Sequence, residues 1–198
     1  MTRVLTMLAV VTILVAAAPM KQGYDIGDTV ADFKLKNVDG KKVALADFKS
    51  AKGFIVIFDC NTCPVSKAYN ERIIALHKKY ASQGFPVLAI NPNDPEVSAG
   101  DSFEKMVDYA RKKGYEFPYL VDETQEVAKA FGATNTPHVF VLTKELKVAY
   151  IGSIDNSRDE SKITKKFVEE AVDALLKGQE VPTPKTKALG CTIKWKNA

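Results

Sequence analysis

Cys60 and Cys63 stand three positions apart in "FDCNTCPVSK", residues 58–67, and the second is followed by a proline. A cysteine pair at this spacing can be a redox couple, half of a metal site or a short structural staple. Residues three apart in a helical first turn have Cβ atoms roughly 5–6 Å apart, and a disulfide needs about 3.5–4.5 Å, so a small adjustment closes the bond. A helix N-terminus favours a thiolate on an exposed first cysteine, and a thiolate is the form that attacks disulfides. Cys60 is therefore the expected nucleophile and Cys63 the resolving thiol. Asp59 works against this if its carboxylate points the same way, although neighbours leaving a strand usually diverge.

The other candidates are sparse. The third cysteine is Cys191 in "LGCTIKWKN", and the histidines are His77 and His138. A structural zinc site wants four ligands, and His77 falls well along the helix beyond Cys63, so zinc finds a poor set here. His138 follows Thr136-Pro137 and could approach the cysteine pair, which leaves copper handling open, though a satisfied surface histidine is its default. A purely structural Cys60–Cys63 bond would close so short a loop that the entropic gain is small. Cys191 could be a buried packing thiol, a second resolving cysteine brought near by the tail, or an intermolecular link. Packing is the expectation, with Trp195 covering apolar surface nearby. Asp94, Glu96, Asp122 and Glu123 could supply a proton relay, but they read as solvated loop acids.

The pair must be held by a strand and a helix. "GFIVIFD", residues 53–59, is a continuous apolar run that suits a central strand covered on both faces. From Pro64 to about Ser82, Val65, Ala68, Tyr69, Ile73, Leu76 and Tyr80 recur at spacings of three and four, an amphipathic helix with proline in its first turn. "FPVLAIN", residues 85–91, is a second buried strand, so strand, helix and strand make a βαβ unit with parallel strands. Cys60 and Cys63 then lie at the carboxyl edge of the sheet, where sites of open α/β folds sit. Upstream, "VADFKLKNVDGKKVALADF" carries two alternating stretches around Asp39-Gly40, an N-terminal β-hairpin. Downstream come a loop rich in Pro, Asp and Ser, a helix over 102–113, a short strand in "FPYLVDE", a short helix ended by Gly132, and the strands "HVFVL" and "KVAYIGSI" around a turn at Lys144-Glu145. A last helix spans 162–177.

Cys60-Asn61-Thr62-Cys63-Pro64 after a buried strand, with Thr136-Pro137 before "HVFVL" and a terminal hairpin and helix, resembles the thioredoxin superfamily. The long insert after "LAIN" is similar to that of exported redoxins and peroxiredoxin-like proteins, the alkyl hydroperoxide reductase/thiol-specific antioxidant group. The resemblance implies an α/β thioredoxin-like fold, with a central mixed sheet flanked by helices. It also implies a cis-proline loop facing the cysteine pair, so that Thr136 and Pro137 line a groove where a partner's chain binds as an added strand. The implied activity is thiol-disulfide exchange through Cys60 and Cys63, with no bound cofactor and no metal, on thiol or disulfide proteins or small thiols. A peroxidase acting on hydroperoxides is the alternative. It would show Thr or Ser three residues before its reactive cysteine, and Cys60 occupies that slot ahead of Cys63. A copper-binding thioredoxin-fold chaperone is the alternative outside enzymes. The familiar Trp-Cys-Gly-Pro-Cys is absent: Asp59 stands where tryptophan would, and Asn61 and Thr62 are polar.

Composition sets the outer bounds. The 198 residues are one domain's worth, and a formal net charge of +4 without a basic stripe argues against a nucleic-acid partner. The first residues show a charge at Arg3, an apolar run from Val4 to Val15 and small residues to Ala18, the layout of a secretory signal peptide over 1–18. The expected organisation is that segment, a redoxin domain over 20–180 and a tail over 181–198. The expected location is exported, in the periplasm, with a membrane association only if the first segment is uncleaved. Export suits redox cysteines, because oxidising compartments let disulfides persist.

Overall fold

The computed structural model describes residues 23–196, so the expected signal peptide lies outside the described residues. At the centre is β3 (Gly53–Phe58), every residue of which is buried. Its continuous apolar run fits a strand with neighbours on both edges and helices on both faces. It pairs in parallel with β4 (Val87–Asn91), which pairs in parallel with β5 (Tyr119–Val121). On its other edge it runs antiparallel to β7 (His138–Thr143), followed by β8 (Val148–Gly152). The expected N-terminal hairpin is β1 (Lys34–Asn37) and β2 (Lys42–Ala44), docked antiparallel on β5. The seven strands run in the order β2-β1-β5-β4-β3-β7-β8, the mixed sheet anticipated from the sequence.

Helices α1 (Pro64–Tyr80), α2 (Phe103–Lys113), α3 (Glu126–Phe131) and α4 (Phe167–Leu176) cover the sheet. Alternation along β3 divides the core. Ile55 and Ile57 face a cluster with Tyr69, Ile73 and Leu76 of α1 and Val168 and Val172 of α4, whereas Phe54, Val56 and Phe58 face Ala128 and Phe131 of α3. Cys60 and Cys63 belong to the first cluster.

The start of the last helix differs from the sequence reading. The last helix starts at Phe167, five residues after the expected 162, because the Asn156 side-chain carbonyl accepts the N–H groups of both Thr164 and Lys165. Those donors are thereby held outside the helical ladder. The β7–β8 turn falls at Lys144-Glu145 as expected, and Leu146 after it takes the left-handed conformation. The tail packs back on the domain. Ile151 donates to Pro184 O and accepts from Thr186 N, and then β9 (Cys191–Thr192) pairs antiparallel with β6 (Asn135–Thr136).

Candidate active site

β3 delivers Cys60 at its end, and Cys63 sits at the N-cap of α1 with Pro64 in the first helical position. Asn61 and Thr62, the polar residues between them, are clamped by the loop that follows β4. Asp101, only 1% exposed, accepts from Asn61 N at 2.7 Å and from Thr62 Oγ1 at 2.7 Å. It also accepts from Ser98 Oγ, Asn91 Nδ2 and Asn93 Nδ2. Asn61 further donates to Gly100 O and accepts from the Tyr119 hydroxyl. Asp101 is the residue that the sequence reading missed, because nothing in a loop rich in acids and prolines distinguishes the one carboxylate that reaches back to the cysteines.

The Thr136–Pro137 peptide is cis and faces the pair as expected. Cys60 Sγ lies 3.0 Å from Thr136 Oγ1, and Cys63 Sγ lies 3.2 Å from Thr136 O. Thr136 is fully buried, so it meets the sulfurs and not solvent.

The sulfur pairing departs from expectation. Cys63 is bonded to Cys191 across 128 positions of sequence, with their Cα atoms 6.0 Å apart, and Cys60 is the free thiol. Cys191 is therefore a disulfide partner and not a packed thiol. Trp195, with Ile193, packs against the cluster on the opposite face of the sheet from the one Cys191 joins. No local signal pointed to this bond, because pairing β9 with β6 is a long-range event.

Cys60 is also not exposed: it is 1% accessible. Its thiol is pushed up from the ordinary range, first by burial and then by the charges of Asp59 and Asp101, against hydrogen bonds from Thr136 and the Cys63 backbone that favour the thiolate. The expected lowering at the helix N-terminus is thus outweighed by desolvation. Asp59 and Cys60 do not diverge. Asp59 hydrogen-bonds the Ser66 side chain, and Cys60 Sγ lies 3.9 Å from Ser66 Oγ. Asp59 Oδ1 has no partner, and burial raises the carboxyl to about 6.

The remaining candidates are placed elsewhere. His138 Nδ1 accepts from Thr134 N, its ring packs on Phe140, and burial lowers it to about 4. His77 Nδ1 accepts from Val87 N. Among the described residues no group of three or more His, Cys, Asp or Glu is arranged to hold a metal ion. Asp94 and Asp122 are buried, not solvated: Asp94 accepts from Glu96 N, and Asp122 accepts from Ala128 N at the start of α3. Both shape turns. Glu123 is exposed, as read from the sequence.

The chain is similar to known proteins over most of its length. The thiol-disulfide oxidoreductase ResA of Geobacillus thermodenitrificans is 27% identical over 133 residues, 66% of this chain and 71% of that protein. A crystal structure from Geobacillus kaustophilus, described as an uncharacterized conserved protein, matches with a TM-score of 0.83 at 39% identity, covering 92% of this chain and all of that one. A hypothetical protein from Sinorhizobium meliloti matches with a TM-score of 0.83 at 36% identity over 90% of this chain and all of that one. The AhpC/TSA family model matches residues 26–151, which span the hairpin, the cysteine pair, the cis-proline loop and most of β8. The chain accordingly belongs to the AhpC/TSA family, as a thioredoxin-fold redoxin whose curated relatives are thiol-disulfide oxidoreductases.

Proposed function

We propose that the protein is an exported thiol-disulfide oxidoreductase in which Cys60 is the attacking thiol and Cys63 the sulfur it exchanges with. The observation that carries this is the convergence of Cys60 Sγ and Cys63 Sγ on Thr136, the residue before a cis-proline, one sulfur free and the other already in a disulfide. In the reducing direction a thiol donor first reduces the Cys63–Cys191 bond to two thiols. The Cys60 thiolate then attacks a partner disulfide, a mixed disulfide forms with release of one partner thiol, and the Cys63 thiolate displaces the other partner sulfur while closing Cys60–Cys63. Thr136 and Pro137 line the groove that holds the partner's chain. No cofactor takes part, since sulfur carries the electron pair throughout. The partners are thiol or disulfide proteins or small thiols. The apolar run near the N-terminus supports export, and among the described residues no helix is long and apolar enough to cross a membrane.

The test is mixed-disulfide trapping. Cys63→Ser is expected to accumulate a covalent adduct on Cys60 with a disulfide substrate, and Cys60→Ser to lose at least about 100-fold in turnover. Absence of any adduct on Cys63→Ser rejects the assignment. A second reading, thiol peroxidase activity, draws on the Cys63–Cys191 bond, which leaves Cys60 out. It predicts hydroperoxide consumption that survives Cys60→Ser and vanishes with Cys63→Ser, the opposite order.

A further inference from the structure

The C-terminal segment occupies the edge that the cis-proline loop offers to an added strand. Cys191 stands opposite Thr136 and Thr192 opposite Asn135 in antiparallel register. Asn135 Nδ2 donates to Gly190 O, and Ile193 N donates to Thr134 O. The fit is tight at Gly190, where a Cβ would lie 2.2 Å from Thr136 O, so any other residue before Cys191 breaks this pose. The strand also carries a cysteine bonded to Cys63, while the thiol of Cys60 waits against the same threonine. A strand paired beside the cis-proline and covalently held through sulfur is what a protein partner would look like in the middle of exchange.

We propose that residues 189–193 are the protein's own partner strand, an internal mixed disulfide that Cys60 resolves, and that the groove it vacates takes an extended segment of another protein in which glycine precedes the reacting cysteine. The proposal rests on the Cys60/Cys63 couple of the dithiol reading above but takes it in the oxidising direction, in which a partner thiolate attacks Cys63 of the Cys60–Cys63 disulfide and Cys60 is the sulfur released. It adds a third redox cysteine and a substrate rule. In the internal step the Cys60 sulfur attacks Cys63, the Cys63–Cys191 bond breaks and the Cys60–Cys63 bond forms. Cys191 leaves as a thiolate, and the proton released by the Cys60 thiol is matched by the one Cys191 takes up. One disulfide replaces another, so no outside oxidant or reductant is consumed. Once Cys191 is released, the segment stays anchored beyond it by buried Ile193, the Ile193 N–Thr134 O bond and the hydrogen bonds of Lys194 with Asp94 N, Asn93 Oδ1 and Gln125 Nε2. What is freed is the Gly190–Thr192 stretch, held on β6 by two backbone pairings and the Asn135 contact to Gly190 O. An outside strand can then compete for the same edge.

Gly190→Val tests the internal step without altering a cysteine. The full chain, oxidised with one equivalent of diamide, is quenched in acid, unfolded, alkylated and mapped by mass spectrometry. The parent chain is expected to carry mainly Cys63–Cys191 with Cys60 alkylated. In Gly190→Val the ratio is expected to move at least tenfold toward Cys60–Cys63 with Cys191 alkylated. An unchanged ratio in folded Gly190→Val overturns the proposal.

A second arm does not need that variant to fold. The double variant Cys60→Ser/Cys191→Ser is offered a nine-residue peptide of sequence 187–195, activated at its cysteine with thionitrobenzoate, and the same peptide with valine in place of its glycine. Capture of the glycine peptide on Cys63 at least ten times faster supports the substrate rule, and equal rates overturn it. Reduction of an external protein disulfide by the parent chain is followed in parallel. Exchange without that turnover rejects the dithiol reading alone, and turnover with an unshifted map rejects the internal partner alone.

Discussion

After burial, the charge of Asp59 is the second cause of the raised pKa of the Cys60 thiol. Its carboxyl is buried, one oxygen has no partner, and its pKa is raised from 3.8 to about 6. The folded state therefore holds a proton on Asp59 between those two values that the unfolded chain has lost, so stability falls as pH rises from about 4 to 6 and the penalty is complete above 6. At 1.36 kcal/mol per unit, a shift of about 2 units sets that loss at about 3 kcal/mol. Asp59→Asn is expected to abolish this part of the pH dependence, checked by urea unfolding at pH 4 and pH 7. The same change removes a negative charge that helps to raise the Cys60 thiol. The pH profile of Cys60 alkylation is expected to move to lower pH in Asp59→Asn, and an unmoved profile would show that Asp59 does not contribute and that burial and Asp101 set the thiol.

The element that positions the pair is the loop after β4, with its anchor at Asp101. This carboxylate accepts two hydrogen bonds from the Asn61-Thr62 dipeptide and three from Ser98, Asn91 and Asn93. An amide at this place would turn an N–H₂ group toward donors and leave buried groups unsatisfied, at about 1–3 kcal/mol each. Asp101→Asn is therefore expected to lower unfolding free energy by about 3 kcal/mol or more, measured by denaturant titration. Because the loop and the dipeptide are held by one group, the same variant is expected to expose Cys60 to alkylation faster than unfolding does. The polar character of Asn61 and Thr62, a departure from the familiar motif in sequence, is thus a docking interface between the cysteine loop and the insert.

For the whole molecule, the Cys63–Cys191 bond ties the C-terminal segment to the start of α1 across 128 positions. In the loop-closure model a cross-link of that span contributes about 5 kcal/mol. Cys191→Ser is expected to lose most of this in unfolding titrations without reductant and to match the reduced parent chain when reductant is present. A Cys60–Cys63 bond in the variant would restore little, since its loop is so short. Redox state and overall stability are thereby coupled: the form with the tail bonded is the more stable fold and the one whose groove is filled.

Much of this was legible in the sequence. The continuous apolar run 53–58, the three-and-four spacing of Val65, Tyr69, Ile73, Leu76 and Tyr80, and the Asp39-Gly40 turn specified a central strand, its crossover helix and the edge hairpin, because each is a local pattern set by backbone period and turn chemistry. The spacing of Cys60 and Cys63 and the distant Thr136-Pro137 likewise anticipated the meeting of two sulfurs with a cis-proline loop. What only the tertiary structure decided is which sulfur bonds which, how deep Cys60 lies, and which carboxylate reaches the pair. The Cys63–Cys191 bond, the burial of Cys60 and the grip of Asp101 each depend on segments tens to more than a hundred residues apart. Their meeting is set by the packing of the whole chain, for which no local periodicity is a proxy.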